Sequence, residues 1–273
     1  MNSHSPSLIQ SDSQPATCDT GCPVLICLLG SFRLLKAGQR VTLPFEGKAQ
    51  VLLSYLALRH GYRVPREELL ETLWPKTDRA RARLSLHSLL YSLRKLLGDQ
   101  LGGAAPVRRA GSYYRLHIEA GICVDVACFD ALADAGDREA RAGDLQAAAQ
   151  TYARAIYLYR GDLSALRDVQ TVLERERLRA RYLTLLARLA DYQYGERDYA
   201  ACLDYAARLL VHDSCREDAH RLIMRCHVRR GERAQALRHY HVCRDILQAE
   251  FGAAPEPATT ALFDQVRLDP GSI

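Results

Sequence analysis

The chain has 273 residues, 48% apolar and 25% charged, enough for two domains that each bury a core. Its longest apolar run, residues 24–29, is far too short to cross a bilayer, and its polar start lacks the basic and apolar segments of a signal peptide, so a cytoplasmic protein is expected. The net charge of +5 is uneven: residues 48–115 hold 13 Lys and Arg against 5 Asp and Glu, a net of +8, while residues 117–273 hold 21 against 24, a net of −3, so only the first half is expected to meet a polyanion.

Residues 1–22 are polar and read as a disordered tail. Residues 24–29, 32–35 and 41–43 read as short strands, with turns at Gly30-Ser31 and Ala37-Gly38. Three helices are expected next. The first covers 48–60 and is closed by Gly61. The second covers 65–74, with Pro65 in its first turn. The third covers 78–97, with Thr77 or Asp78 at its start and Gly98 after its end. Residues 107–109 and 113–116 flank Ala110-Gly111-Ser112 as a hairpin. Strands, three helices and a hairpin, in that order, predict a winged helix-turn-helix over residues 23–120.

From residue 121 to 268 the pattern is helix after helix, with an internal repeat. Alanine lies five residues after each of Gly143, Gly195 and Gly231, at Ala148, Ala200 and Ala236. Tyrosine lies nine residues after the first and last, at Tyr152 and Tyr240, and ten after the second, at Tyr205; Ala155, Ala207 and Cys243 lie twelve after each glycine. The 36 residues from Gly195 to Gly231 approach the tetratricopeptide period. Small residues let paired helices approach and glycine makes the turn between them. The fold class is mainly α, with an α+β N-terminal domain followed by a tetratricopeptide-like helical domain.

On a helical wheel of about 100° per residue, Ala82, Leu86, Leu89, Leu90, Leu93 and Leu97 make the core stripe of the third helix. Arg81, Leu84, Ser88, Tyr91 and Lys95 lie opposite, flanked by Ser85 and Ser92 on one side and by Arg94 and His87 on the other. With Arg79 and Arg83 in the first turns, this face suits the major groove of DNA, where arginine and lysine meet phosphates or guanine and the hydroxyls meet phosphates or base edges. Leu84 interrupts the polar face; it is read either as a contact for a thymine methyl or as packing against the hairpin. Arg108, Arg109 and Arg115 on the hairpin are the candidate contacts for backbone or minor groove.

The nine cysteines show no paired C-x-x-C spacing, so no metal is expected and reduced thiols are the simplest reading. No catalytic motif is present, no cofactor is expected, and His227, His239 and His241 read as helix-surface residues. A regulator that binds promoter DNA competes with a helical-repeat adaptor that does not touch DNA; an enzyme is not expected.

The runs LSYLAL at 53–58, VPREELL at 64–70, LWP at 73–75 and RLSLHSLLYSLRKLLG at 83–98 resemble the OmpR-type winged helix of the Streptomyces antibiotic regulatory protein family. LYRGD at 158–162, ERERLR at 174–179, AQALRHY at 234–240 and LQAEFG at 247–252 resemble the bacterial transcriptional activator domain that follows it in that family. The resemblance spans residues 24–267. It implies a DNA-binding activator whose helical domain mediates self-association, as a homodimer on direct repeats, or contact with RNA polymerase. Longer members carry a nucleotide-binding module, but this chain has no glycine-lysine phosphate loop, so ATP control is not expected of it. Nor does an α/β receiver segment precede the winged helix.

Overall fold

The structure, a computed structural model, describes residues 22–43, 46–163, 168–269 and 271. The tail expected over 1–22 lies, except for Cys22, outside them. β1 (Val24–Cys27) is buried on both faces, as the apolar run predicts of a central strand. It pairs antiparallel with β2 (Arg33–Lys36), Leu25 opposite Leu35, and β2 pairs with β3 (Gln39–Arg40). The third strand was expected at 41–43 and falls two residues earlier. Ala37 (φ 47°) and Gly38 (φ 78°) are both left-handed, a two-residue hairpin turn after which pairing resumes at once.

α1 (Glu46–Leu58) buries Leu52 through Ala57 without a break, so it runs through the middle of its unit rather than along a surface. β4 (Val64–Pro65) follows, and Pro65, expected inside the next helix, is extended (φ −62°, ψ 144°) and opposite Tyr113. α2 (Arg66–Leu73) buries Leu69, Leu70 and Leu73. α3 (Arg79–Leu97) is capped by the Asp78 carboxylate, which accepts from the amides of Ala80 (3.0 Å) and Arg81 (3.3 Å). The hairpin of β5 (Val107–Ala110) and β6 (Tyr113–Leu116) turns at Gly111 (φ 63°) and, with β4, makes a three-stranded sheet in the order β4-β6-β5.

β7 (Ile122–Val124) was not foreseen. It lies parallel to β1, Leu25 opposite Cys123, and completes a sheet of order β3-β2-β1-β7. Just beyond it, the Asp125 carboxylate accepts from the amides of Leu28 (2.8 Å) and Leu29 (2.9 Å). Those two residues, expected to continue the first strand, therefore spend their N–H groups on a side chain. Burial pushes the Asp125 carboxyl up to about 6, against the pull of the amides of Leu28, Leu29 and Val126. The same pairing brings Cys22 beside Cys123, Cα atoms 6.1 Å apart, in a disulfide. The reading of uniformly reduced thiols is corrected for this pair; a separation of 101 residues leaves no spacing signal.

The chain divides into two compact units, the first reaching Val126 and the second beginning at Ala127, inside α4 (Asp125–Arg141). The second unit continues with α5 (Leu145–Leu158), α6 (Val169–Gly195), α7 (Tyr199–His212), α8 (Glu217–Arg229), α9 (Arg233–Phe251) and α10 (Pro257–Leu268). The repeat is present, but its middle copy is displaced. Gly143 and Gly231 take the left-handed position between helices (φ 86° and 76°), whereas Gly195 ends α6 and Arg197 (φ 62°) makes that turn. The helix caps Asp144, Asp198 and Glu232 are therefore the equivalent residues, the last two 34 apart. Four residues beyond each cap lie Ala148, Cys202 and Ala236, and eight beyond lie Tyr152, Ala206 and Tyr240, all buried. Ala200 and Ala207, assigned to the repeat from sequence, are exposed, and Tyr205 is half-buried.

The two polar stretches quoted from this unit are structural. Arg175 donates to the Leu163 carbonyl (2.6 Å), Arg177 pairs with Asp130 and Glu174 (2.7 Å each), and Tyr159 stacks on Tyr182 with ring centres 4.1 Å apart. Together they tie α4, α6 and the stretch after α5.

His239 is half-buried rather than a surface residue, with its Nε2 2.9 Å from Nδ1 of buried His220. His220 Nε2 donates to the Ser214 carbonyl at 2.9 Å, and because burial disfavours the charged form of both rings, the neutral pair has His239 Nε2 donating to His220 Nδ1. Burial, with His220 and His227 nearby, holds His239 down to about 4. A histidine pKa below its unfolded value stabilises the fold above about pH 6.5, and the contribution is lost as pH falls toward 4. Urea unfolding is expected to show the helical unit about 2 kcal/mol less stable at about pH 5 than at about pH 7.5 on this account. His239→Gln should shrink that difference, and an unchanged difference would show that other groups carry it.

Candidate nucleic-acid interface

The leucine pattern of α3 decides which way it faces. Ala82, Leu86, Leu89, Leu93 and Leu97 are buried. Leu90, placed in the same stripe from sequence, is only half-buried and marks its edge. The opposite side is open: Arg81, Leu84, Ser88, Tyr91 and Lys95 are exposed, with half-buried Ser85 and Ser92 on one flank and exposed His87 and Arg94 on the other. Arg79 and Arg83 are exposed too, but at about 100° per residue they lie toward the buried stripe, and both line a groove with Glu67 and Trp74.

The cations of α3 are not equally free. Arg83 lies 3.8 Å from Glu67, which also pairs with Arg66 at 3.2 Å. Arg79, Arg81, Arg94 and Lys95 have no ion pair among the described residues. Arg94 and Lys95 in the last turn suit the negative end of the helix dipole, but Arg79 and Arg81 stand at the positive end, where the first turn holds no acidic residue. Each arginine there opposes the dipole by a few tenths of a kcal/mol, roughly 0.3–1. The Asp78 carboxylate at the cap already offsets part of that cost and takes the Ala80 and Arg81 amides, and a phosphate there would offset the rest.

The hairpin separates its three arginines. Arg108 is opposite Arg115, so their side chains share the face of Ala110 and Tyr113. Arg109 is opposite buried Tyr114 on the other face, and its Nε donates to the Gly111 carbonyl (2.9 Å). Arg115 is half-buried and bonded to Glu119 at 2.8 Å, so among the described residues Arg108 and Arg109 are the hairpin arginines without an ion pair. Sequence reading passed over Tyr113, exposed beside them; the period-2 alternation with buried Tyr114 and Leu116 was the signal for it.

No group of three or more His, Cys, Asp or Glu able to hold a metal is found among the described residues. A cavity of about 850 Å³ lies between α4, α5 and α6, where Arg188 bonds Asp137 and the Tyr152 hydroxyl, so its central charges satisfy one another. No helix is long and apolar enough to cross a membrane.

Residues 124–267, more than half of the chain, match the model of the bacterial transcriptional activator domain. The regulatory protein DnrI of Streptomyces peucetius is 30% identical over 259 residues, 90% of this chain and 93% of that protein. The chain belongs to the Streptomyces antibiotic regulatory protein family. Among the relatives of this regulator, AfsR of Streptomyces coelicolor is 27% identical over 245 residues, which are 89% of this chain but 24% of AfsR. EmbR of Mycobacterium tuberculosis, solved with a low-affinity phosphopeptide, superposes with a TM-score of 0.69 at 25% identity over 90% of this chain and 65% of EmbR. A Streptomyces antibiotic regulatory protein is a DNA-binding transcriptional regulator, and the winged helix followed by helical repeats expected from sequence is its architecture. The relatives are regulatory proteins rather than enzymes.

Proposed function

We propose that the regulator activates transcription from the cytoplasm without any catalysis of its own, using α3 as the major-groove reader and the β5–β6 hairpin as a backbone contact. The supporting observation is the exposed, largely polar and basic surface of α3 opposite its buried leucines, which carries Arg81, Ser88, Tyr91 and Lys95. In this reading Arg79, Arg81, Arg83, Ser85 and Ser88, in the N-terminal half of α3, meet base edges and nearby phosphates. Tyr91, Ser92, Arg94 and Lys95 hold the backbone further along, and Arg108, Arg109 and Arg115 follow the hairpin. The DNA-binding domain is assigned residues up to Val126, since β7 belongs to its sheet and Asp125 accepts from the Leu28 and Leu29 amides.

Arg81→Ala or Lys95→Ala is expected to weaken operator binding by about 1–3 kcal/mol each with the melting temperature unchanged. Fluorescence anisotropy on a labelled duplex measures it; full affinity in both variants overturns the placement of α3.

The helical unit is proposed to bring two copies together on direct repeats, or to contact RNA polymerase. Its net charge from Ala127 onward is −1, with 21 Lys and Arg against 22 Asp and Glu, which gives phosphate no attraction, and stacked helix pairs offer a concave protein-binding surface. The full chain should bind duplexes with two half-sites in phase, about one helical turn apart, cooperatively. Equal affinity per site on one-site and two-site duplexes leaves polymerase contact as the role of this unit.

A further inference from the structure

Leu84 is the sixth residue of α3, and 70% of its surface is exposed. That exposure disfavours the first of the two sequence readings, packing against the hairpin, because most of the side chain is open. At about 100° per residue, Arg81, Leu84, Ser88, Tyr91 and Lys95 fall within an arc of about 80°, with Leu84 near its middle. The centre of the arc lies almost diametrically opposite the buried side chains of Leu86, Leu89, Leu93 and Leu97.

A single exposed leucine on a protein surface is ordinary. Its neighbours make this one different. Along the helix, Arg81, with no ion pair among the described residues, lies one turn before it and Ser88 one turn after, and exposed Tyr91 (71%) stands two turns on, in a segment of net charge +8. A surface built for a polyanion has reason to carry cations and hydroxyls, and leucine offers a phosphate nothing. In the major groove one feature of a base pair is apolar, the 5-methyl of thymine. Its distance from the helix start also fits, since the first half of a reading helix is the part that reaches base edges.

We infer that Leu84 is a specificity-determining residue that reads a thymine methyl in each half-site. The inference rests on the placement of α3 in the major groove given above. Closing a leucine methyl against the thymine methyl buries one or two methyl-sized groups, which corresponds to about a three- to tenfold preference for thymine over a pyrimidine lacking that methyl.

Deoxyuridine isolates the effect, because it keeps every hydrogen-bonding group of thymine and removes only the methyl. The operator is first selected from a random duplex pool with the full chain, and each thymine is then replaced singly by deoxyuridine. The wild-type regulator should lose about three- to tenfold in affinity at one or two positions per half-site. In Leu84→Ala, whose far-UV circular dichroism and melting temperature should match wild type because the side chain is exposed, those positions should become indifferent to the methyl. Thymines felt through other residues should keep their effect. Leu84→Met, which restores an apolar tip, should recover part of the preference. An operator with no methyl-sensitive thymine, or one whose sensitivity is the same in Leu84→Ala, overturns the role of Leu84 while leaving α3 as the reader. Operator binding that survives loss of Arg81 and Lys95 overturns the placement of α3, and this inference with it.

Discussion

Raising salt from about 50 to about 200 mM is expected to lower operator affinity roughly 500-fold. The number follows from counting free cations. Arg79, Arg81, Arg94, Lys95 and Arg108 are exposed on α3 and the hairpin and have no ion pair among the described residues, while Arg109, also without one, lies on the other face of the hairpin with its Nε held by the Gly111 carbonyl and is left out of the five. Five phosphates neutralised give a slope of log affinity against log salt of about −4.5. Arg83 and Arg115, held by Glu67 and Glu119, must exchange one carboxylate for one phosphate and add little to counterion release. Titration of a fluorescent operator across that range gives the slope directly. Arg94→Ala should flatten it by about one unit, and Arg83→Ala by clearly less. A slope near zero contradicts an interface built on these cations.

The second large effect is on stability. Leu93→Ala should destabilise the DNA-binding unit by about 2–5 kcal/mol, because Leu93 is fully buried in the stripe that seats α3 and truncation leaves a cavity. Domains have only about 5–15 kcal/mol in hand, so DNA binding at physiological temperature should fall with it. Leu90→Ala, at the edge of the stripe, should cost clearly less, and Leu84→Ala almost nothing. Urea unfolding of the three variants tests the ranking. Equal losses at Leu84 and Leu93 mean that α3 is seated the other way round.

That ranking also shows where a helical pattern stops being informative. Five of the six stripe positions of α3 are buried as the wheel predicts, because a period of 3.6 fixes the centre of an apolar face. It does not fix the edges, and Leu90 falls there. The repeat was visible through its small residues, yet glycine was taken as the mark of every turn. Arg197 makes the middle one, and the register slipped by two. β7 left no local trace at all. Its three residues make sense only against a strand about a hundred positions earlier, and Cys123 and Asp125 take their meaning from that pairing. The candidate interface was legible because its residues lie on one helix and one hairpin. Their differing freedom was not, since Glu67 and Glu119 reach Arg83 and Arg115 through folded geometry.

The parallel contact of β1 with β7 also sets the order of events during synthesis. The strand that emerges early from the ribosome has one edge with no partner until residue 124 has followed it, and the amides of Leu28 and Leu29 wait for Asp125, 97 and 96 positions downstream. At about 5–20 residues per second, that apolar edge stays open for roughly 5–20 s on each nascent chain. Through that interval the unpaired apolar edge is open to pairing with another chain, and synthesis halted before Asp125 would leave it so.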